Sequence, residues 1–389
     1  MTFSSQKTIE VWADWHTLKK PMLVGKLSAQ LSRGKEVFSF EYHDDWLKSS
    51  YVFSLDPSLK LYSGKQFLTD EKTNFGVFLD SSPDRWGRTL IQRRESLLAQ
   101  KEKRYSKKPL ESDFLLGVFD QHRMGGLRFK LKDGPFLDDN KDYATPPWSS
   151  IRELEAISLK LEDENAENKK EYSQWLRALV IPGSSLGGAR PKATICDTKG
   201  HLWIAKFPSR NDSYDVGGWE YIIHQLAQKC DLQVPEVQVL KVGSQRHTYL
   251  SKRFDRVANN SRIHFSSAMT LLERNDGDNA SHGASYLEIA DFLVGAGANT
   301  KEDLEELWKR IVFSICVSNT DDHLRNHGFL LTKEGWRLSP AYDMNPNPYG
   351  GGLSLNISEN SNQQSLDLAL DVCSDFRVHL KNAQKIISK

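Results

Sequence analysis

A chain of 389 residues exceeds one ordinary domain and predicts two or three packed units. Hydrophobic residues make up 39% and charged residues 26%, which supplies a sizeable core and excludes a globally disordered chain. Lys and Arg number 52 against 51 Asp and Glu, so a net charge of +1 gives no bulk attraction to nucleic acid or to an anionic membrane.

In chain order, the first seven residues lack an apolar signal core, and no stretch approaches the about 20 apolar residues of a membrane helix. A cytoplasmic location without membrane contact is the expectation. Residues 8–67 read as short strands, with alternation over 9–13 and 37–42. A helix follows over 84–103, with Ser81-Ser82-Pro83 as cap and first turn, and residues 113–118 extend the helical region. The basic run between Arg93 and Lys108 reads as a solvated helix end and loop. Residues 128–131 read as a strand. The Asp-, Asn- and Pro-rich segment 136–147 marks a first boundary. A helix is expected over 149–163, then a polar tract over 163–170. A Gly/Ser turn, a hairpin, a helix near 217–230 and strands near 236–256 come next. From 285 onward the pattern is mostly helical, at 286–294, 301–317 and 366–378. Strands followed by helices is the layout of a two-lobed α+β protein. Cys196, Cys230, Cys316 and Cys373 are scattered, without zinc-ligand spacing, and read as small buried hydrophobes.

Two segments carry chemistry. The first runs Ile181-Pro182-Gly183-Ser184-Ser185-Leu186-Gly187-Gly188-Ala189-Arg190-Pro191-Lys192. Its glycines let successive backbone N–H groups approach an anion, and it is not a Walker-type loop. Alone it reads as an ordinary turn. A hairpin follows, with strands at 193–196 and 201–207 turned by Asp197-Thr198-Lys199-Gly200. Lys206 lies in the apolar return strand, where an ammonium needs an anionic partner. A Gly-rich loop leading to a strand lysine is how protein kinases hold ATP phosphates. The candidate ATP-binding residues are Ser184, Ser185, Leu186, Gly187, Gly188, Ala189, Lys192 and Lys206. Glu220, near the start of the next helix, is the candidate carboxylate that fixes Lys206; a glutamate there also suits the helix dipole.

The second segment is Ser318-Asn319-Thr320-Asp321-Asp322-His323-Leu324-Arg325-Asn326. Asp321 and Asn326 have the D-x-x-x-x-N spacing of a kinase catalytic loop, with Asp321 to orient or deprotonate a hydroxyl and Asn326 to reach Mg²⁺. His323 joins them as a catalytic candidate, though a lone His is more often structural. A short hairpin, 329–331 and 336–338, leads to Asp343, where a carboxylate suits a hard cation bridging phosphates. The triplet there is not Asp-Phe-Gly, which excludes an ordinary eukaryotic kinase. ATP and Mg²⁺ are the implied cofactors.

Together the chain resembles the HipA-like serine/threonine kinases of toxin–antitoxin operons. The motifs are Gly-Ser-Ser-Leu-Gly-Gly-Ala-Arg-Pro-Lys (183–192), Ile-Ala-Lys-Phe-Pro-Ser (204–209), Arg-Phe-Asp-Arg (253–256), Asn-Thr-Asp-Asp-His-Leu-Arg-Asn (319–326) and Ala-Tyr-Asp-Met-Asn-Pro (341–346). Softer matches are Val77 to Asp84 with Gly87, and Arg123-Met124-Gly125-Gly126-Leu127-Arg128-Phe129. The resemblance implies a HipA-type, protein-kinase-like fold: an N-terminal β-rich domain over 1–140, an ATP-binding portion over 145–255 and a mainly helical catalytic lobe over 256–389. It implies Asp321 as base, Asn326 and Asp343 as Mg²⁺ ligands, Lys206 on ATP phosphates, and the backbone of Lys252 and Phe254 on adenine. It implies autophosphorylation at Ser185 or its neighbour Ser184. It further implies a HipB-like helix-turn-helix antitoxin as partner, DNA contact only through that antitoxin, and a protein substrate such as an aminoacyl-tRNA synthetase or another translation factor. Family members often continue into a longer helical lobe than one ending at Lys389. Two other readings stay open: a catalytically silent antitoxin-binding co-repressor, and a small-molecule phosphotransferase. A phosphate at Ser185 adds about −1.5 to −2 charge where ATP phosphates must sit. Ser185→Asp is therefore expected to switch off ATP turnover; an undiminished rate in a phosphate-release assay excludes this switch.

Overall fold

The computed structural model describes residues 6–68, 72–132, 134–137, 145–183 and 188–389. The chain forms two compact units, Met1–Tyr214 with Leu240–His264, and Asp215–Val239 with Phe265–Lys389.

The first unit opens with an antiparallel sheet in the order β4-β3-β2-β1-β5. Its strands are β1 (Lys7–Ala13), β2 (Met22–Ser32), β3 (Lys35–Tyr42), β4 (Lys65–Phe67) and β5 (Leu127–Leu131). The alternation in β1 buries Ile9, Val11 and Ala13 on one face. Phe129 of β5 lies opposite Val11, and Phe40 of β3 packs its ring 5.6 Å from Phe78. A short helix, α1 (Asp44–Leu47), follows β3, and α2 (Gly76–Asp80) delivers Phe78 to this core.

Helix α3 (Arg85–Lys101) starts one residue later than the sequence suggests, because Asp84 is its cap: the carboxylate accepts from Gly87 N at 2.8 Å. Ser81 and Ser82 instead turn their hydroxyls back onto carbonyls of α2. Helix α4 (Glu111–Leu116) and α5 (Ile151–Leu161) match the expected helical segments within a few residues. Most of the expected boundary at 136–147 lies outside the described residues.

Helix α6 (Tyr172–Gly183) was not expected. Its residues Tyr172, Leu176, Leu179 and Val180 recur at helical spacing and are buried. Residues 181–183, read from sequence as the head of the loop, close this helix. A second sheet then carries β6 (Lys192–Cys196), β7 (Leu202–Lys206) and β9 (Thr248–Lys252), with β8 (Val237–Leu240) where the chain returns to this unit. Gly200, at φ +84°, makes the β6–β7 turn. Helices α3, α5 and α6 share one core with this sheet, built from Trp86, Leu90, Leu154, Leu179, Ile195 and Trp203 among others.

Two motifs far apart in sequence meet in a buried ion lattice of the first unit. Arg253 reaches Asp255 at 2.8 and 2.7 Å, and Arg256 pairs with the same carboxylate. Asp255 also accepts from Gly125 N at 2.9 Å. Arg253 and Arg256 both donate to the carbonyl of Arg123, at 3.1 and 2.7 Å. Burial alone raises a carboxyl pKa, but the two guanidiniums outweigh it and hold Asp255 well below the usual range.

The second unit holds α7 (Val216–Lys229), α8 (Ala268–Leu271), α9 (Tyr286–Ala296), α10 (Thr300–Val317), α11 (Leu366–Asp371) and α12 (Leu380–Ile387). The helix expected over 366–378 stops at Asp371, and α12 begins beyond that span. The intervening turn includes Arg377 at φ +55° and ends at His379, the cap of α12. A three-stranded sheet, β10 (Phe265–Ser267), β11 (Gly328–Leu331) and β12 (Trp336–Leu338), completes the unit. Strand β10, three residues long, was too short to show in sequence. Among the described residues no helix is long and apolar enough to cross a membrane.

Asp255→Ala leaves two buried guanidiniums without their carboxylate and is expected to cost about 3–5 kcal/mol of stability, read from urea unfolding. Because the folded pKa is depressed, the contribution of Asp255 is complete above the ordinary carboxylate range, declines as pH falls below that range and is gone once pH passes below the folded pKa.

Candidate active site

In the first unit, the register of β6 and β7 sets Lys192 directly opposite Lys206. Directly paired residues share one face, and like charges there repel. Lys192 is relieved by Asp84: its ammonium lies 3.0 Å from the carboxylate, and both side chains are 2% exposed. Lys192 was expected to touch ATP; burial in an internal ion pair is its actual place. Lys206 is half-buried, 5.7 Å from the ring of Tyr249, its partner on β9. Lys252, the last residue of β9, lies opposite Trp203 with its ammonium 6.0 Å from that ring.

Ser184, Ser185, Leu186 and Gly187 lie outside the described residues. Gly188 and Ala189 are exposed, and Gly188 has φ +92°. A side chain at Gly188 would meet the Lys192 ammonium at 3.2 Å, so the buried lysine lies under the end of the Gly-rich segment. After β9, Lys252 and Phe254 stay half-buried while Arg253 and Asp255 turn inward to the lattice.

In the second unit, Glu220 is on α7 and buried. Helix α10 ends at Ser318, whose backbone is left-handed at φ +51°. The loop beyond it sorts two adjacent carboxylates. Asp321 is exposed, while Asp322 is buried and accepts from Tyr286 Oη at 2.7 Å, with His327 Nε2 at 3.2 Å. Burial raises the Asp322 pKa, but His327 and the Tyr286 hydrogen bond more than offset this, and the carboxyl stays below its ordinary range. The Tyr286 hydroxyl is pushed well up, by burial first and by the Asp322 charge second.

The Asp321 carbonyl accepts from His323 N and from Asn326 Nδ2, both at 3.0 Å. That second bond uses the Asn326 amide nitrogen, so the amide oxygen is not the atom spent on the Asp321 carbonyl. His323 is half-buried, and its Nδ1 has no hydrogen-bond partner among the described residues.

Four bonds tie this loop to the segment carrying Asp343. Tyr342 Oη donates to Arg325 O at 2.7 Å, and Asn345 N donates to Asn319 Oδ1 at 3.1 Å. Asn347 N donates to Ser318 O at 2.8 Å, and its Nδ2 to Thr320 Oγ1 at 2.9 Å. Asp343 sits between these ties at φ +59°, a left-handed backbone that Asp tolerates better than most residues. Such strain concentrates at functional sites. The structure thus brings Asp321, His323, Asn326 and Asp343 together on one stitched pair of loops.

Asn319, Asp322, Tyr286, Tyr342, Asn345 and Asn347 were given no role from sequence. Several stand in or beside the quoted motifs, but nothing local distinguishes a stitch from a turn residue. The donor set suits a hard cation that keeps substrate and water oxygens. Asn345 Oδ1 is a buried acceptor without a partner among the described residues, and its amide nitrogen lies 3.5 Å from Asp343 Oδ1. No cluster of three or more His, Cys, Asp or Glu ligands exists among the described residues.

The fold has a solved counterpart. HipA from Shewanella oneidensis MR-1, in a complex with HipB and operator DNA, matches with a TM-score of 0.64 over 98% of this chain and 87% of that chain, at 15% identity. The model of the HipA-like C-terminal domain matches residues 184–389, and the chain belongs to the HipA-like family. A Haemophilus influenzae protein named "Putative kinase" is 26% identical over 187 residues, covering 43% of this chain and 54% of that protein. "Putative kinase Y4dM" of Sinorhizobium fredii is 27% identical over 181 residues, 43% of this chain and 39% of that protein. The matched region thus spans about half or less of these relatives.

The two neighbouring carboxylates should separate in a stability assay. Tyr286→Phe, which strips Asp322 of a buried donor, is expected to cost about 2 kcal/mol. Asp321→Asn, on the surface, should stay within about 0.5 kcal/mol of wild type by urea unfolding.

Proposed function

We propose that the protein is an ATP- and Mg²⁺-dependent kinase that phosphorylates a serine or threonine hydroxyl of another protein. The observation that carries this reading is the stitched pair of loops holding Asp321, Asn326 and Asp343. Exposed Asp321 orients the acceptor hydroxyl and takes its proton. The hydroxyl oxygen bonds to the γ-phosphorus, the bond from that phosphorus to the β,γ-bridging oxygen breaks, and ADP leaves with the electron pair. Asn326 and Asp343 hold Mg²⁺, which when bound neutralises charge on the phosphates. Lys206 and the N–H groups near Gly188 take the remaining phosphate charge. Backbone groups of Lys252 and Phe254 receive adenine. Ser185, with Ser184 beside it, is the site of inhibitory autophosphorylation.

The functional parts are 1–140, 145–255 and 256–389. The HipA–HipB–DNA composition of the matched complex supports a HipB-like antitoxin as partner, with DNA reached through it. A translation factor is the substrate class we favour.

Removal of a general base costs about 10²–10⁴ in rate. Asp321→Ala is expected to lose phosphotransfer on that scale while binding Mg·ATP normally in calorimetry. Asp343→Ala should weaken Mg·ATP binding itself. Near wild-type phosphotransfer by Asp321→Ala sinks the assignment.

A further inference from the structure

The segment leading into Val77–Asp84 and Gly87 has no place in the chemistry above, yet its end grips both described sides of the Gly-rich segment. On one side is Gly183, the last residue of α6. A side chain there would come within 2.8 Å of Leu90 and 3.0 Å of the Trp86 indole nitrogen, so α3 packs directly against this backbone. On the other side, Trp86 N–H reaches Gly188 O at 3.4 Å, and Trp86 Nε1–H donates to Lys192 O at 3.1 Å. Asp84 adds the buried pair with the Lys192 ammonium at 3.0 Å. Its second oxygen caps α3 through Gly87 N. One carboxylate therefore fixes the helix start and the strand start together. The first turn of a helix has backbone N–H groups to spare, and one of them is spent here on Gly188.

We infer that Asp84 and Trp86 are positioning residues for the nucleotide phosphates, acting through Gly188 and Lys192 without touching ATP. This rests on the kinase reading. Backbone N–H groups cradle phosphate well only when ordered beforehand; otherwise binding must supply the ordering. Glycine-rich backbone is the costliest to order. Freeing one residue from the grip corresponds to roughly a tenfold loss of affinity.

The test uses Trp86→Phe, which keeps the packed ring and removes the indole donor, and Asp84→Asn, which keeps a cap and removes the charge facing Lys192. Ile157→Val, in the same core but away from the segment, controls for stability. Mg·ATP affinity is read by calorimetry, KM and kcat by phosphotransfer, and Tm by melting. The expected result is a roughly tenfold rise in Kd and KM(ATP) for Trp86→Phe, with kcat within about twofold. Ile157→Val should keep wild-type affinity. If Trp86→Phe does not fold, Asp84→Asn carries the same expectation. Wild-type affinity in either folded variant overturns the inference and leaves the kinase reading intact. So does a loss of affinity in Ile157→Val matching its loss of Tm. No Mg·ATP binding by the wild-type chain overturns both.

Discussion

Two lysines face each other across β6 and β7, and the first unit is arranged around that repulsion. Burying an ammonium without an anion costs several kcal/mol, a large share of a typical domain's margin of stability. Burial of Lys192 is supported by the aspartate that begins α3 and lies against its ammonium. The pair ties a helix from residue 85 to a strand from residue 192, and with Trp86 it decides where the Gly-rich segment emerges. Lys206 then keeps a half-buried position on the same face. A buried pair of this kind is weak evidence for net stability and better understood as fixing one arrangement among several.

The second unit solves a similar problem with carboxylates. Asp321 and Asp322 are adjacent and chemically alike, and the fold assigns them opposite surroundings. Tyr286 and His327 hold Asp322 inward, and this anchoring turns Asp321 to the surface. Asn319 then links the loop to the backbone of Asn345, and Tyr342 links it at Arg325. Rigid support of this sort is what a site for positioning and charge neutralisation requires. The left-handed backbone at Asp343 persists because ties on both sides over-determine it.

Local structure was legible. The β6–β7 hairpin, α7, α10 and the β11–β12 hairpin all stand within a few residues of where periodicity and turn residues put them. The D-x-x-x-x-N spacing pointed to the loop where Asp321 and Asn326 share a hydrogen bond. Helix α6 was obscured because its last turn contains Pro182 and Gly183, residues that ordinarily punctuate. Its apolar spacing was present but outweighed by the glycines beyond. Lys192 was misplaced for another reason. Its partner is 108 residues away, and no local pattern reports so distant a carboxylate.

Arg123-Met124-Gly125-Gly126 and Arg-Phe-Asp-Arg at 253–256 show what lies between those extremes. Each was visible as a motif, and neither revealed that its partner was the other. Asp255 accepts from Gly125, and two arginines of the later motif converge on the carbonyl of Arg123. Charged side chains here bind backbone groups, so the identity of the receiving residues matters less than their path. That path needs a chain able to approach closely: Gly126 lies where any side chain would strike Trp15 at 2.7 Å. The same lattice fixes Arg253 and Asp255 inward and so sets which side Lys252 and Phe254 occupy. The motif thus acts as a register device, placing one strand end by burying Arg253, Asp255 and the Arg256 guanidinium in one ion lattice.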